Sequence, residues 1–99
     1  MKGDPEDTFE FNPVGSHSDG LDISSAQTLS APASATKVLM QTIGQNVRYT
    51  LDGTTPTPTV GFRMVSGDPP ILIPLGLNTV LKVIQESATA DLQYQWGAG

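Results

Sequence analysis

Apolar residues in this chain recur at every second position, in short runs separated by ten glycines and eight prolines. A period of two sends alternate side chains to opposite faces of an extended strand, whereas a helix needs a period near 3.6 and tolerates neither breaker in its interior. The chain is therefore expected to be all-β. Asn46 to Asp52 shows the pattern most plainly, with Val47, Tyr49 and Leu51 on one face and Asn46, Arg48, Thr50 and Asp52 on the other. Lys37 to Ile43, Gly61 to Val65, Thr79 to Glu86 and Asp91 to Trp96 are further extended runs, and Ile71 to Leu77 is apolar nearly throughout. Turn residues stand between them: Gly44-Gln45-Asn46, Asp52-Gly53, Ser66 to Pro70, Asn78, and Ser87 to Ala90. Pro56 and Pro58 exclude the Thr54 to Thr59 loop from any central strand, and Pro74 restricts its run to a sheet edge or an irregular crossing. About six short strands with these connections predict a small antiparallel β-sandwich or a partly open barrel.

The charge is distributed quite differently. Asp4, Glu6, Asp7, Glu10, Asp19 and Asp22 face only Lys2, while Asp52, Asp68, Glu86 and Asp91 balance Lys37, Arg48, Arg63 and Lys82. Residues 1–35 mix acids with Ser, Gly, Pro and Ala and hold few large apolar residues, so they read as an extended acidic N-terminal arm and linker. Residues 36–99 read as the β-sandwich module. Phe9-Glu10-Phe11 places two rings on one side of an extended chain, a pattern suited to docking along a sheet edge or in a groove. Stretched out, such an arm spans on the order of 100 Å.

A module of this size buries only about 60% of its unfolded surface and is marginal alone. With no cysteine in the chain and no cofactor motif or metal-ligand spacing in its sequence, association is the expected source of further stability. The N-terminus has no apolar stretch behind Lys2, and no run is long enough to span a bilayer, so a product made in the cytoplasm without membrane insertion is expected. Nucleic acid is not an expected partner, because the four module bases are scattered singly along the sequence. Asp4, Glu6, Asp7 and Glu10 lack the glycine-centred spacing of a calcium loop. A solvated anionic tail is the first reading of these acids, and a basic protein partner the second.

Val47 to Thr57, with Asp52-Gly53-Thr54-Thr55-Pro56 at its centre, resembles the strand-and-turn signature of the immunoglobulin-like domain at the C-terminus of chitobiases, and Thr79 to Val83 echoes that domain's later strand. The motif is a turn device, not a site. A broader resemblance is carried by Ala35 to Leu39, Gln45 to Gly53, Gly61-Phe62 and the closing Gln93-Tyr94-Gln95-Trp96. These segments resemble small structural proteins of tailed bacteriophages. The resemblance implies a non-enzymatic virion component without a cofactor: a capsid decoration (cement) protein, or a head or tail accessory protein. Its partners would be the major capsid protein or other virion proteins, and a homo-oligomer such as a trimer fits a symmetric shell.

Ser16, His17, Ser18 and Asp19 are neighbours in a glycine-bounded loop, which offers neither the geometry of a triad nor an oxyanion hole. Tyr94 and Trp96 share a strand face and provide bulk to a small core; outward, with the Thr54 to Thr59 loop, they would form a sugar-stacking platform, the alternative reading as a carbohydrate-binding or adhesin module. Ile71 to Leu77 is either an interior strand or an edge covered by another subunit. The residues expected to meet a partner are Phe9, Phe11, Leu21, Ile23, Ile71 and Ile73. Burial of the four in the arm would supply about 1.5 to 3 kcal/mol each before ordering costs of about 1 to 2 kcal/mol per residue.

Overall fold

The structure, a computed structural model, describes residues 10–99. Among them are eight strands and no helix: β1 (Asn12–Pro13), β2 (Gln27–Leu29), β3 (Lys37–Ile43), β4 (Val47–Thr50), β5 (Phe62–Met64), β6 (Ile71–Pro74), β7 (Leu81–Gln85) and β8 (Asp91–Ala98). They form two four-stranded antiparallel sheets facing each other as a sandwich, ordered β1-β8-β3-β6 and β2-β7-β4-β5. The short connections β3 to β4 and β7 to β8 each cross from one sheet to the other, so β8 stacks on β7 and β3 on β4. That leaves β1 above β2 at one side and β6 above β5 at the other.

Alternation decides which side chains enter the core. Val38, Met40 and Thr42 of β3 face inward, beside Leu92 and Trp96 of β8 and Ile73 of β6; Val47, Met64, Leu81 and Val83 face them from the second sheet. Thr42, fully buried, has its hydroxyl satisfied by the Gln45 carbonyl at 2.7 Å, which also ties the β3–β4 turn. The Asp52 to Pro56 motif is built as its residue types require. Gly53 takes φ +88°, a left-handed conformation that glycine adopts without strain, while Asp52 Oδ1 accepts from the Thr54 amide at 3.0 Å. The Thr50 hydroxyl holds the Thr54 carbonyl, and Pro56 is packed into the interior.

The division expected at residues 35/36 differs from the structure. Asn12–Pro13 adds β1 to the edge of β8, and Gln27–Leu29 adds β2 to the edge of β7. Ile23, only 1% exposed, lies in the core, and its carbonyl accepts from the Gln85 amide at 3.0 Å. A marginal sandwich lacks enough large side chains of its own, so the lone isoleucine of a polar stretch gains more inside than in water. Ile73, 5% exposed, is likewise a core residue, and Ile71 and Leu21 pack against the core half-buried. Neither Ile23 nor Ile73 is open to a partner in this fold. Their expected docking role is thus replaced by an internal one. Pro74 closes β6 at the sheet edge, opposite Lys37. Phe9 lies outside the described residues.

Candidate interaction surface

The final strand fastens the segment from Glu10 to Ser18. The tyrosine and tryptophan of Gln93-Tyr94-Gln95-Trp96 turn inward and pack edge-on, with ring centroids 5.9 Å apart. The two glutamines face outward: Gln95 Nε2 donates to the Val14 and Gly15 carbonyls at 3.3 and 3.2 Å, and His17 Nε2 donates to Gln93 Oε1 at 2.6 Å. Backbone bonds complete the clamp, from the Val14 amide to the Trp96 carbonyl and in both directions between Ser18 and Tyr94. Phe11 lies on Gly97, where a Cβ would come within about 2.5 Å of the ring. Lys37 Nζ donates to the Glu10 carbonyl at 2.7 Å. His17 is thus a fastening residue, and the four-residue Ser/His/Asp run lies along a sheet edge. Trp96, 7% exposed, is no stacking platform, so the carbohydrate reading loses the ring it depends on.

Bases that are scattered in the sequence are gathered by strand pairing. Arg48 stands directly opposite Arg63 across β4 and β5, and Thr50, two residues on, stands opposite Lys82 on β7. All three bases therefore share the outer face of the second sheet. Glu86 closes the cluster, accepting from Arg48 Nε at 2.7 Å and from Arg63 Nε at 3.0 Å, while Arg63 Nη2 reaches its other oxygen at 3.2 Å. Arg48 also donates to the Gly61 carbonyl at 3.0 Å. Gly61 has φ +126°, and a Cβ there would stand about 3.0 Å from the Tyr49 carbonyl oxygen, so β5 approaches β4 too closely for any side chain.

On the other side of the same sheet, at the end of β5, the surface is apolar. An open groove of about 540 Å³ is lined by Leu51, Val60 and Phe62 together with Thr50, Asp52, Thr54 and Gly61. Phe62 is 61% exposed. One side of its ring meets Tyr49, with centroids 5.5 Å apart, because the three-residue edge strand β5 ends where the opposing sheet no longer covers it. The sequence reading missed this surface. A phenylalanine beside a glycine in a short run looks the same whether the strand is central or at an edge.

The Arg63 guanidinium, and then that of Arg48, hold the Glu86 carboxyl below its ordinary value of 4.5. Hydrogen bonds from Thr54 hold Asp52 below the ordinary 3.8, and the Ser24 amide does the same for Asp22. Carboxylates lowered in the folded state bind protons later than in the unfolded chain. Their contribution is fully present above the ordinary carboxylate range and is lost as the pH falls through the folded values. Thermal melts from pH 7 downward should therefore show stability dropping in acid, with a shallower drop in Glu86→Gln; an unchanged acid slope in that variant would remove Glu86 from the account.

Compared with protein families, with curated proteins and with solved structures, the chain has no match.

Proposed function

We propose that this chain is a non-enzymatic virion structural protein, a capsid decoration (cement) protein that binds the phage shell through its β-sandwich and its N-terminal segment. The reading is supported by the resemblance carried by Ala35 to Leu39, Gln45 to Gly53, Gly61-Phe62 and Gln93 to Trp96. The observation that carries it is the exposed Phe62 at the free edge of β5, lining an apolar groove with Leu51 and Val60. A sandwich with so few large side chains gains by keeping a ring inside, so one left outside marks a surface that a partner covers. Sites of this kind bind weakly one at a time and tightly when repeated over a symmetric shell.

The test is quantitative mass spectrometry of density-purified phage particles from cells that make the chain. The expected result is a fixed copy number relative to the major capsid protein, reduced about tenfold in occupancy by Phe62→Ala at limiting protein, the loss of one well-buried ring's contact. Particles free of the chain, with the protein recovered only as a soluble species, would overturn the proposal.

A further inference from the structure

We propose that two copies of this chain pair side by side through their free edge strands, β5 of one along β6 of the other, so that each four-stranded sheet continues into an eight-stranded one. β5 ends one sheet and β6 ends the other, at the same side of the sandwich. Along a strand, the N–H and C=O of successive residues point to opposite sides, so known bonds fix the direction of the others. The Glu86 amide donates to the Asn46 carbonyl at 3.0 Å, so Asn46 and Arg48 turn toward β7, and Val47 and Tyr49 toward β5. Their partners Met64 and Phe62 are thereby engaged, and the N–H and C=O of Arg63 between them point out of the sheet edge. On β6 the Leu75 amide donates to the Thr36 carbonyl at 2.9 Å, so Ile73 and Ile71 turn toward β3 and the N–H and C=O of Leu72 point outward. Each edge thus presents one strand residue whose backbone donor and acceptor meet no strand among the described residues.

Antiparallel pairing of Arg63 with Leu72 of a second copy suits the rest of both edges. The register sets Gly61 against Pro74 and Val65 against Pro70. Both prolines lack an N–H, and the carbonyls they face are already taken, that of Gly61 by Arg48 at 3.0 Å and that of Val65 by the Asp68 amide at 3.2 Å. Prolines that blunt an edge against other strands therefore leave no carbonyl waiting here. The faces agree as well. Phe62 falls beside Ile73 and Met64 beside Ile71, on the inward side of their sheets, while Arg63 falls beside Leu72 on the outer side with no like charge opposite. A slip of one residue would lose this match.

A two-fold axis along the strands, midway between the layers, joins both edges at once. β5 is antiparallel to β4 and β6 to β3, and the short β3–β4 turn reverses the chain, so β5 and β6 run in opposite directions. The rotation keeps strand direction and exchanges the layers, so β6 of each copy meets β5 of the other antiparallel. The contact is self-complementary and closes at two copies. Leu51 and Val60 lie beyond the paired segment, so pairing takes up neither of these groove residues.

Sedimentation equilibrium of the full chain at rising concentration should show a reversible monomer–dimer system and nothing larger. Added salt should change it little, because backbone bonds and apolar contacts are not screened as exposed charges are. Leu72→Pro removes an N–H that no strand of the single chain uses; it should melt like the wild type where both are monomers and weaken dimerisation tenfold or more. Leu72→Arg, which sets a cation against Arg63 of the other copy, should weaken it similarly. The chain has no cysteine, so an oxidised equimolar mixture of Arg63→Cys and Leu72→Cys should give far more disulfide-linked dimer than either variant alone. A wild type that stays monomeric at every concentration overturns the inference, as does a folded Leu72→Pro or Leu72→Arg chain that dimerises like the wild type, or a mixture that cross-links no better than its components. Particles that take up a strictly monomeric chain would remove the pairing and leave the proposed function standing; a dimer absent from particles would do the reverse.

Discussion

Deletion of residues 1–35 is expected to abolish cooperative folding, not to release an intact module. The deletion removes Ile23 and Leu29 from the core, together with Val14, Leu21 and Ala35 packed around it. Each large apolar side chain returned to water costs about 1.5 to 3 kcal/mol, against a total stability of about 5 to 15 kcal/mol for an ordinary domain. The loss also uncovers the sheet edges of β7 and β8, which pair with β2 and β1 in the intact chain. Uncovered edges pair with other chains, so aggregation should accompany the loss of structure. Circular dichroism melts and amide spectra decide the point. A truncated chain with a sigmoidal melt near that of the full chain would return residues 10–35 to the status of an accessory arm. Ile23→Ala separates packing from deletion, with an expected cost of about 2 to 5 kcal/mol.

The strands β3, β4, β7 and β8 were legible because each lies in a run long enough to show its period. β3 runs over the same residues as its alternating segment, and β8 extends the Asp91 to Trp96 run by two residues. The N-terminal strands were not legible for the opposite reason. β1 has two residues and β2 three, too few to reveal any period, and their pairing is fixed by partners some eighty-five and fifty-five positions away. A composition of Ser, Ala and acids described the exposed surroundings of Ile23 correctly and its destination wrongly. The interaction surface was hidden at another level. Arg48 and Arg63 are fifteen positions apart, and only the β4–β5 register puts them side by side on one carboxylate. Alternation shows on which face of its own strand a residue lies, but not what the neighbouring strand brings to that face.

Trp96→Ala is expected to cost about 3 to 5 kcal/mol, the usual range for removing a large aromatic from a core. Three observations place it there. The ring is 7% exposed, packs edge-on against Tyr94, and sits opposite Val38, which is itself fully buried. A domain of this size loses roughly 4 to 8 °C in Tm for each kcal/mol, so the melt should fall by about 12 to 40 °C. The Trp96 carbonyl also receives the Val14 amide at 2.9 Å, so relaxation around the void would loosen the clamp on the N-terminal segment. Faster amide exchange at Val14 and Ser18 than at Val47 and Tyr49 would report that loosening. Phe62→Ala provides the contrast, because its exposed ring rests on Tyr49 from one side only. It should shift the melt by no more than a few degrees, in keeping with a cost near 1 kcal/mol for a single aromatic contact. Equal losses from the two substitutions would mean that Phe62 belongs to the core after all, and the surface argued from its exposure would lose its central residue.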